Sequence, residues 1–167
     1  MKKLFVLVMV FSFITSFLLA NSLELGSPAP QLKVLTDEGI TLDLGEALSA
    51  GTTLVFFYPK AMTPGCVKQA CSLRDGWDEL QARDVKIFGV SSDTAKTQAQ
   101  FRDKYTLPFT LLADTDGKIA DAFSKGRWSR QAYLFRDGIL VWRDLMAATS
   151  NQATEVLAAL DELKSSS

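Results

Sequence analysis

Histidine is missing from this 167-residue chain, and cysteine occurs only twice. Without histidine there is no Cys/His nucleophile pair and no imidazole general base, and most zinc sites are excluded. Two cysteines are an even count and could pair with each other. With no imidazole beside them they also argue against a transition-metal site, so neither a metal nor a cofactor is expected. A surplus of positive charge is lacking too: 18 Lys+Arg stand against 19 Asp+Glu, and the basic residues are scattered. Nothing in that balance attracts nucleic acid. Internal repeats and low-complexity stretches are absent apart from the tail Ser165-Ser166-Ser167.

Long hydrophobic runs are confined to the N-terminus, where Lys2 and Lys3 precede an apolar stretch from Leu4 to Ala20 broken only by Ser12, Thr15 and Ser16. Residues 1–20 read as a signal peptide, with cleavage after Ala20 or Ser22. An uncleaved N-terminal membrane anchor is the alternative, because the run reaches the lower limit of a transmembrane span. No cysteine follows it, so a lipoprotein anchor is not supported. The expected location is outside the cytoplasm, in the periplasm or cell envelope. Residues 21–167 suit one domain with one core. Without Lys2 and Lys3 the count becomes 16 basic against 19 acidic residues, a net charge of −3.

Along this domain the pattern alternates between strands and helices. Leu25 to Leu44 reads as two short strands around a turn at Asp37-Glu38-Gly39. Thr52 to Tyr58 is a β-branched and aromatic run with no polar alternation, the mark of a strand buried on both faces. A helix is expected from Cys66 to about Arg83, with Val67, Ala70, Leu73, Trp77 and Leu80 on one face. Val85 to Val90 is a second buried strand. A helix capped by Asp93 or Thr94 follows, then a short strand at Phe109 to Leu112 and a brief helix around Lys118 to Phe123. Gln131 to Phe135 and Ile139 to Trp142 flank Arg136-Asp137-Gly138, a hairpin signal. A last helix starts at Ser150 or Asn151, with Val156, Leu157, Leu160 and Leu163 inward. Parallel strand–helix units followed by an antiparallel hairpin and a terminal helix make an α/β fold with a mixed sheet covered on both faces, the order of a thioredoxin-like fold. Reactive groups in such sheets gather beyond the carboxyl ends of the strands.

Cys66 stands at one such end. Thr63 is a natural N-cap and Pro64 a natural first helical residue, which puts Cys66 at the third helical position. Unpaired N–H groups and the helix dipole favour an anion there, and cysteines at helix starts ionise more readily than free ones. As N-cap, Thr63 is expected to accept from the Cys66 backbone N–H. Cys71 lies five residues on. Along a regular helix that is a rotation of about 500° and a rise of about 7.5 Å, leaving the two Cα atoms roughly 8–9 Å apart. A disulfide needs about 4.4–6.8 Å. A bridge between them therefore requires the helix to unwind; the alternative is a static bridge in a segment that is not helical.

The spacing of Pro59, Thr63 and Cys66 matches the signature of the peroxiredoxins. The longer string from Phe57 to Cys66, with Gln69-Ala70-Cys71 and Leu73-Arg74-Asp75, resembles the Q-type group, also called bacterioferritin comigratory protein. Similar stretches run from about Leu25 to Trp142, among them Gly89-Val90-Ser91-Ser92-Asp93 and Leu107-Pro108-Phe109-Thr110-Leu111-Leu112. The chain departs from that pattern in one place: only six residues separate Phe123 from Arg130, where Q-type relatives carry a longer loop.

The resemblance implies a thiol peroxidase for hydrogen peroxide and organic hydroperoxides. Cys66 would attack the peroxide and become a sulfenic acid, and Cys71, the only intramolecular partner, would condense with it to a disulfide. Thioredoxin or a thioredoxin-like protein would reduce that bridge. Arg130 matches the family's active-site arginine, with Arg127 reachable by a small shift in alignment. With histidine absent, an arginine that never deprotonates is the obvious group to stabilise charge moving along the S–O–O axis. The family's threonine hydroxyl contacts sulfur and peroxide, which falls here to Thr63, and its proline, Pro59, shields the thiolate from water. Phe57, Tyr58 and Trp128 are candidate pocket walls. A monomer is implied. Two other readings compete. One is a thioredoxin-type disulfide oxidoreductase, which usually has two residues between its cysteines where this chain has four. The other is a binding module with a static bridge.

Overall fold

A computed structural model of the chain describes residues 23–126 and 128–165. The segment read as signal peptide or anchor, and the alternative arginine Arg127, lie outside the described residues.

A seven-stranded sheet carries the fold, in the order β2-β1-β5-β4-β3-β6-β7. Its strands are β1 (Lys33–Thr36), β2 (Thr41–Asp43), β3 (Thr52–Phe57), β4 (Val85–Ser91), β5 (Thr110–Ala113), β6 (Gln131–Arg136) and β7 (Ile139–Asp144). β3, β4 and β5 run parallel, and the outer pairs are antiparallel. The helices are α1 (Leu44–Leu48), α2 (Pro64–Asp75), α3 (Trp77–Gln81), α4 (Ala95–Tyr105), α5 (Lys118–Ala122) and α6 (Gln152–Ser165).

The central strand shows why the run from Thr52 carries no polar alternation. Leu54 and Phe56 point into one core with Cys66, Leu73, Phe101, Val156 and Leu160, contributed by α2, α4 and α6. Val55 and Phe57 point into the other, with Leu44, Leu48, Ile119 and Phe123 from α1, α5 and its end. Successive strand residues face opposite sides, so a strand covered on both faces must be apolar at every position. The arrangement is the expected thioredoxin-like mixed sheet. The β6–β7 turn places Asp137 at φ 49° and Gly138 at φ 78°, the left-handed pair that a tight hairpin requires.

Two expectations change. The helix from Cys66 to Arg83 is two helices, α2 and α3, broken at Gly76, whose N–H closes back on the Ser72 carbonyl at 3.0 Å. Ala153 of α6 is the reason: a Cβ at Gly76 would lie 2.7 Å from the Ala153 Cβ, so the bend and the close approach of α6 need a residue without a side chain. The second change is α1, which the pattern reading passed over. Asp43 caps it by accepting from the Glu46 N–H at 3.1 Å, and the Asp43…Glu46 spacing is a helix-start signal that was available.

Candidate active site

Cys66 sits at the third position of α2 and is fully buried. Two donors reach its sulfur. The Thr63 hydroxyl lies 2.9 Å from Sγ, and Nη1 of Arg130 lies 3.3 Å from it. Arg130 immediately precedes β6, which pairs with β3, so the two segments flanking the sulfur are positioned by neighbouring strands. The guanidinium is itself held: Nη1 also donates to Gln69 Oε1 at 3.0 Å, while Gln69 Nε2 donates to Gln152 Oε1 at 2.9 Å. Gln69 and Gln152 are both fully buried.

Thr63 is the N-cap residue by backbone conformation, but its side chain makes no capping bond, contrary to expectation. Its hydroxyl lies between Sγ and the Lys60 carbonyl, each at 2.9 Å. A hydroxyl has one hydrogen, so it can donate to an anionic sulfur, or donate to Lys60 while accepting from a protonated thiol. The loop that delivers Thr63 is strained and pinned. Met62 has φ 66°, a left-handed conformation uncommon for a residue with a side chain, and the Ala61 N–H donates to Asp93 Oδ2 at 2.7 Å. Asp93 also accepts from Ser91 Oγ at 2.7 Å, Ser91 Oγ accepts from Gln98 Nε2 at 3.0 Å, and Gln98 accepts from the Tyr58 hydroxyl. Burial holds the Tyr58 phenol well above its ordinary pKa, so it remains a donor in this chain of bonds.

Pro59 lies two residues beyond the end of β3 and is half-buried; the polar contacts to Sγ come from Thr63 and Arg130. Phe57 and Tyr58 are core residues, and Trp128 is 68 % exposed, so it does not wall the sulfur. Cys71 lies on the same unbroken helix as Cys66, and both cysteines are free. Burial pushes the Cys71 thiol above its ordinary pKa, with Arg74 opposing. A protonated Cys71 is a poor nucleophile while α2 is closed. A cleft of about 340 Å³ opens beside Ser91, Asp114 and Lys125, and its lining includes none of Cys66, Thr63 or Arg130.

Gln69, Gln152 and Asp93 are the residues that sequence reasoning missed. Gln69 could have been found, since it lies three residues beyond Cys66 and so on the same helix face. Gln152 comes from a distant segment and carries no local signal; Asp93 reads in the sequence only as a candidate helix cap, a position that Thr94 fills by accepting from the Thr97 N–H.

Gly65 has a specific part in the geometry. A Cβ there would lie 2.7 Å from Nη2 of Arg130, so the guanidinium occupies space that only glycine leaves free. The crowded atom is the end of a flexible side chain, and Gly65→Ala should displace it rather than disrupt the fold. The expected result is a fall of about tenfold or more in the rate of thiol oxidation, given what a displacement of about 1 Å can cost. Stopped-flow fluorescence and thermal melts check this; an unchanged rate would show that Arg130 need not stand where it does.

A thiol between a threonine and an arginine at a helix start can be matched against known proteins. The AhpC/TSA family pattern matches residues 25–143. Peroxiredoxin Bcp of Escherichia coli K12 is 39% identical over 121 residues, covering 71% of this chain and 76% of that protein. The chain belongs to the peroxiredoxins. Membership makes it an enzyme, a thiol peroxidase among the oxidoreductases. A Bcp relative from Haemophilus influenzae is 35% identical over 146 residues, 86% of this chain and 90% of its own. Among solved structures, peroxiredoxin Q of Xanthomonas campestris superimposes with a TM-score of 0.75 at 28% identity, covering 84% of this chain and 96% of that one. The bacterioferritin comigratory protein of the same organism, whose structures concern alkyl peroxide reduction, gives 0.75 at 26%, over 84% and 96%.

Proposed function

We propose that this peroxiredoxin reduces hydrogen peroxide and organic hydroperoxides with Cys66 as the attacking residue and Cys71 as the resolving one. The observation that carries the reading is the seat of Cys66 Sγ between Thr63 Oγ1 and Arg130 Nη1 at the start of α2. The Cys66 thiolate attacks one peroxide oxygen: an S–O bond forms, the O–O bond breaks, and the electron pair leaves with the second oxygen as hydroxide or alkoxide. The sulfur is oxidised by two electrons and the peroxide is reduced. Thr63 and Arg130 donate toward the sulfur and the incoming oxygens, where negative charge is passing from one to the other. Pro59 keeps water from the thiolate. The product is a sulfenic acid, Cys66–SOH.

Cys71 then attacks that sulfur, forming the disulfide and releasing water. The cysteines cannot meet on a regular α2, so this step needs local unwinding. A thioredoxin-like dithiol returns both residues to thiols by exchange, becoming a disulfide itself. Export through residues 1–20, by cleavage or as an anchor, would place the enzyme in the cell envelope as a monomer, with reducing equivalents delivered across the membrane.

The deciding experiment mixes the reduced domain rapidly with hydrogen peroxide and reads the products by mass. The unmodified chain is expected to lose two thiols per peroxide and gain one internal disulfide. Cys71→Ser should instead hold one added oxygen on Cys66, reactive toward a sulfenic-acid reagent. A Cys71→Ser chain that consumes peroxide and leaves Cys66 unmodified would overturn the assignment. A thioredoxin-type oxidoreductase would exchange disulfides without consuming peroxide.

A further inference from the structure

The opening of α2 is governed by what holds it closed. Beyond the sulfur, α2 is tied to the first turn of α6 at two points. Gln69 Nε2 donates to Gln152 Oε1 at 2.9 Å, and the Ala153 N–H donates to Ser72 Oγ at 3.1 Å. The second bond is unusual in origin. The first N–H groups of a helix have no partner within it and are ordinarily met by a capping side chain just upstream. Here one of those of α6 is met by a serine 81 residues earlier, on the helix that must unwind. The bend at Gly76, seated against Ala153, closes the same contact. Opening α2 past Ser72 therefore removes a cap from α6.

The first point of attachment is held less well. Gln152 is fully buried, and its Nε2 has no hydrogen-bond partner among the described residues. A buried donor without an acceptor is unfavourable, and that burden belongs to the closed state alone, because opening lets water reach it. The closed form is thus secured by two hydrogen bonds and loaded by one orphan donor, an arrangement suited to opening and reclosing.

We infer that the first turn of α6 is a latch on α2, and that Ser72 and Gln152 set how readily α2 opens. The inference rests on the proposed roles of the two cysteines. It assigns these residues control over the fate of the Cys66 sulfenic acid, which has two exits. With α2 open, Cys71–SH condenses with Cys66–SOH to a disulfide and one water. With α2 closed, the sulfenate attacks a second peroxide: another S–O bond forms, the O–O bond breaks, and sulfinic acid and an alcohol or water result. A tighter latch favours sulfinate and a looser one favours disulfide. Neither residue touches the sulfur, so both act on position and not on the reaction itself.

The test uses Ser72→Ala and Gln152→Ala in the full chain. In the reduced protein, hydrogen exchange of the α2 amides should accelerate in Ser72→Ala by about threefold to tenfold, the change that loss of one ordinary hydrogen bond brings to an equilibrium; Gln152→Ala removes the bond to Gln69 together with the orphan donor and should shift exchange by less. After a hydrogen peroxide pulse, Ser72→Ala should close its disulfide faster by a similar factor and show a lower sulfinate fraction at high peroxide. Its rate of first oxidation should match the unmodified chain. Unchanged exchange, unchanged closure or a higher sulfinate fraction in Ser72→Ala would overturn the latch. Should Gln152→Ala not fold, Ser72→Ala alone decides, since it removes one exchangeable contact. If the unmodified chain leaves Cys66 a thiol after the pulse, the proposed function fails instead, and exchange in the reduced variants still judges the latch.

Discussion

Replacing Cys66 with serine is expected to abolish peroxide reduction, with no residual thioredoxin-coupled turnover above the uncatalysed rate. The hydroxyl that replaces the thiol keeps the shape of the site, since Thr63 and Arg130 can still donate to an oxygen. What is lost is the nucleophile: an alcohol at neutral pH is not ionised and is a weak attacker without an adjacent base. The chain has no histidine to act as that base. Cys71 cannot substitute, because burial holds its thiol above its ordinary pKa and it stands on a helix face away from Arg130. Peroxide consumption by Cys66→Ser, followed with a reductant in excess, would remove Cys66 from the mechanism.

Arg130→Ala should lower the second-order rate of thiol oxidation by about 10²–10³-fold, the range seen when one fixed donor is taken from a developing anion. Nη1 of Arg130 lies 3.3 Å from Sγ and is fixed in place by Gln69 at 3.0 Å, so it can follow the charge without rearrangement. The backbone contribution survives the substitution, because the Arg130 carbonyl still accepts from the Ala147 N–H at 3.1 Å. The variant does leave Gln69 Oε1 buried without its donor, at a cost of about 1–3 kcal/mol. A thermal melt should therefore show a modest drop with cooperative unfolding retained. Arg130→Lys keeps the charge but loses the planar fork, and should recover only part of the rate. A rate in Arg130→Ala within a factor of two of the unmodified enzyme would show that the charge is stabilised elsewhere.

Cys66 and Arg130 are specified by different kinds of information. Cys66 could be read from the chain because helix starts are local: Thr63, Pro64 and a preceding buried strand define one within a few residues, and the chemistry of a thiol at that position follows. The buried strands were legible for the same reason, since β3 carries its burial on both faces in its own composition. The separation of Cys66 and Cys71 follows from their five-residue offset on a helix, and the structure keeps both cysteines on one helix with both thiols free.

Local reading failed where a distant segment decides. The expected long helix breaks at Gly76 because Ala153, far along the chain, packs against that point. Thr63 was expected to cap the helix, and its hydroxyl faces the sulfur and Lys60 instead, because the left-handed Met62 and the tether from Ala61 to Asp93 aim the loop that way. The roles of Gln152 and Ser72 had no signal at all, since a buried hydrogen bond between two helices is not a property of either.

The sequence by itself determined a thiol at a helix start, the shortage of alternatives to it, and the layered sheet that presents it, since these depend on composition and short-range periodicity. Only the tertiary structure decided which arginine meets the sulfur and what holds α2 shut. Those contacts join residues up to 83 positions apart, and their distances are set by how strands and helices pack.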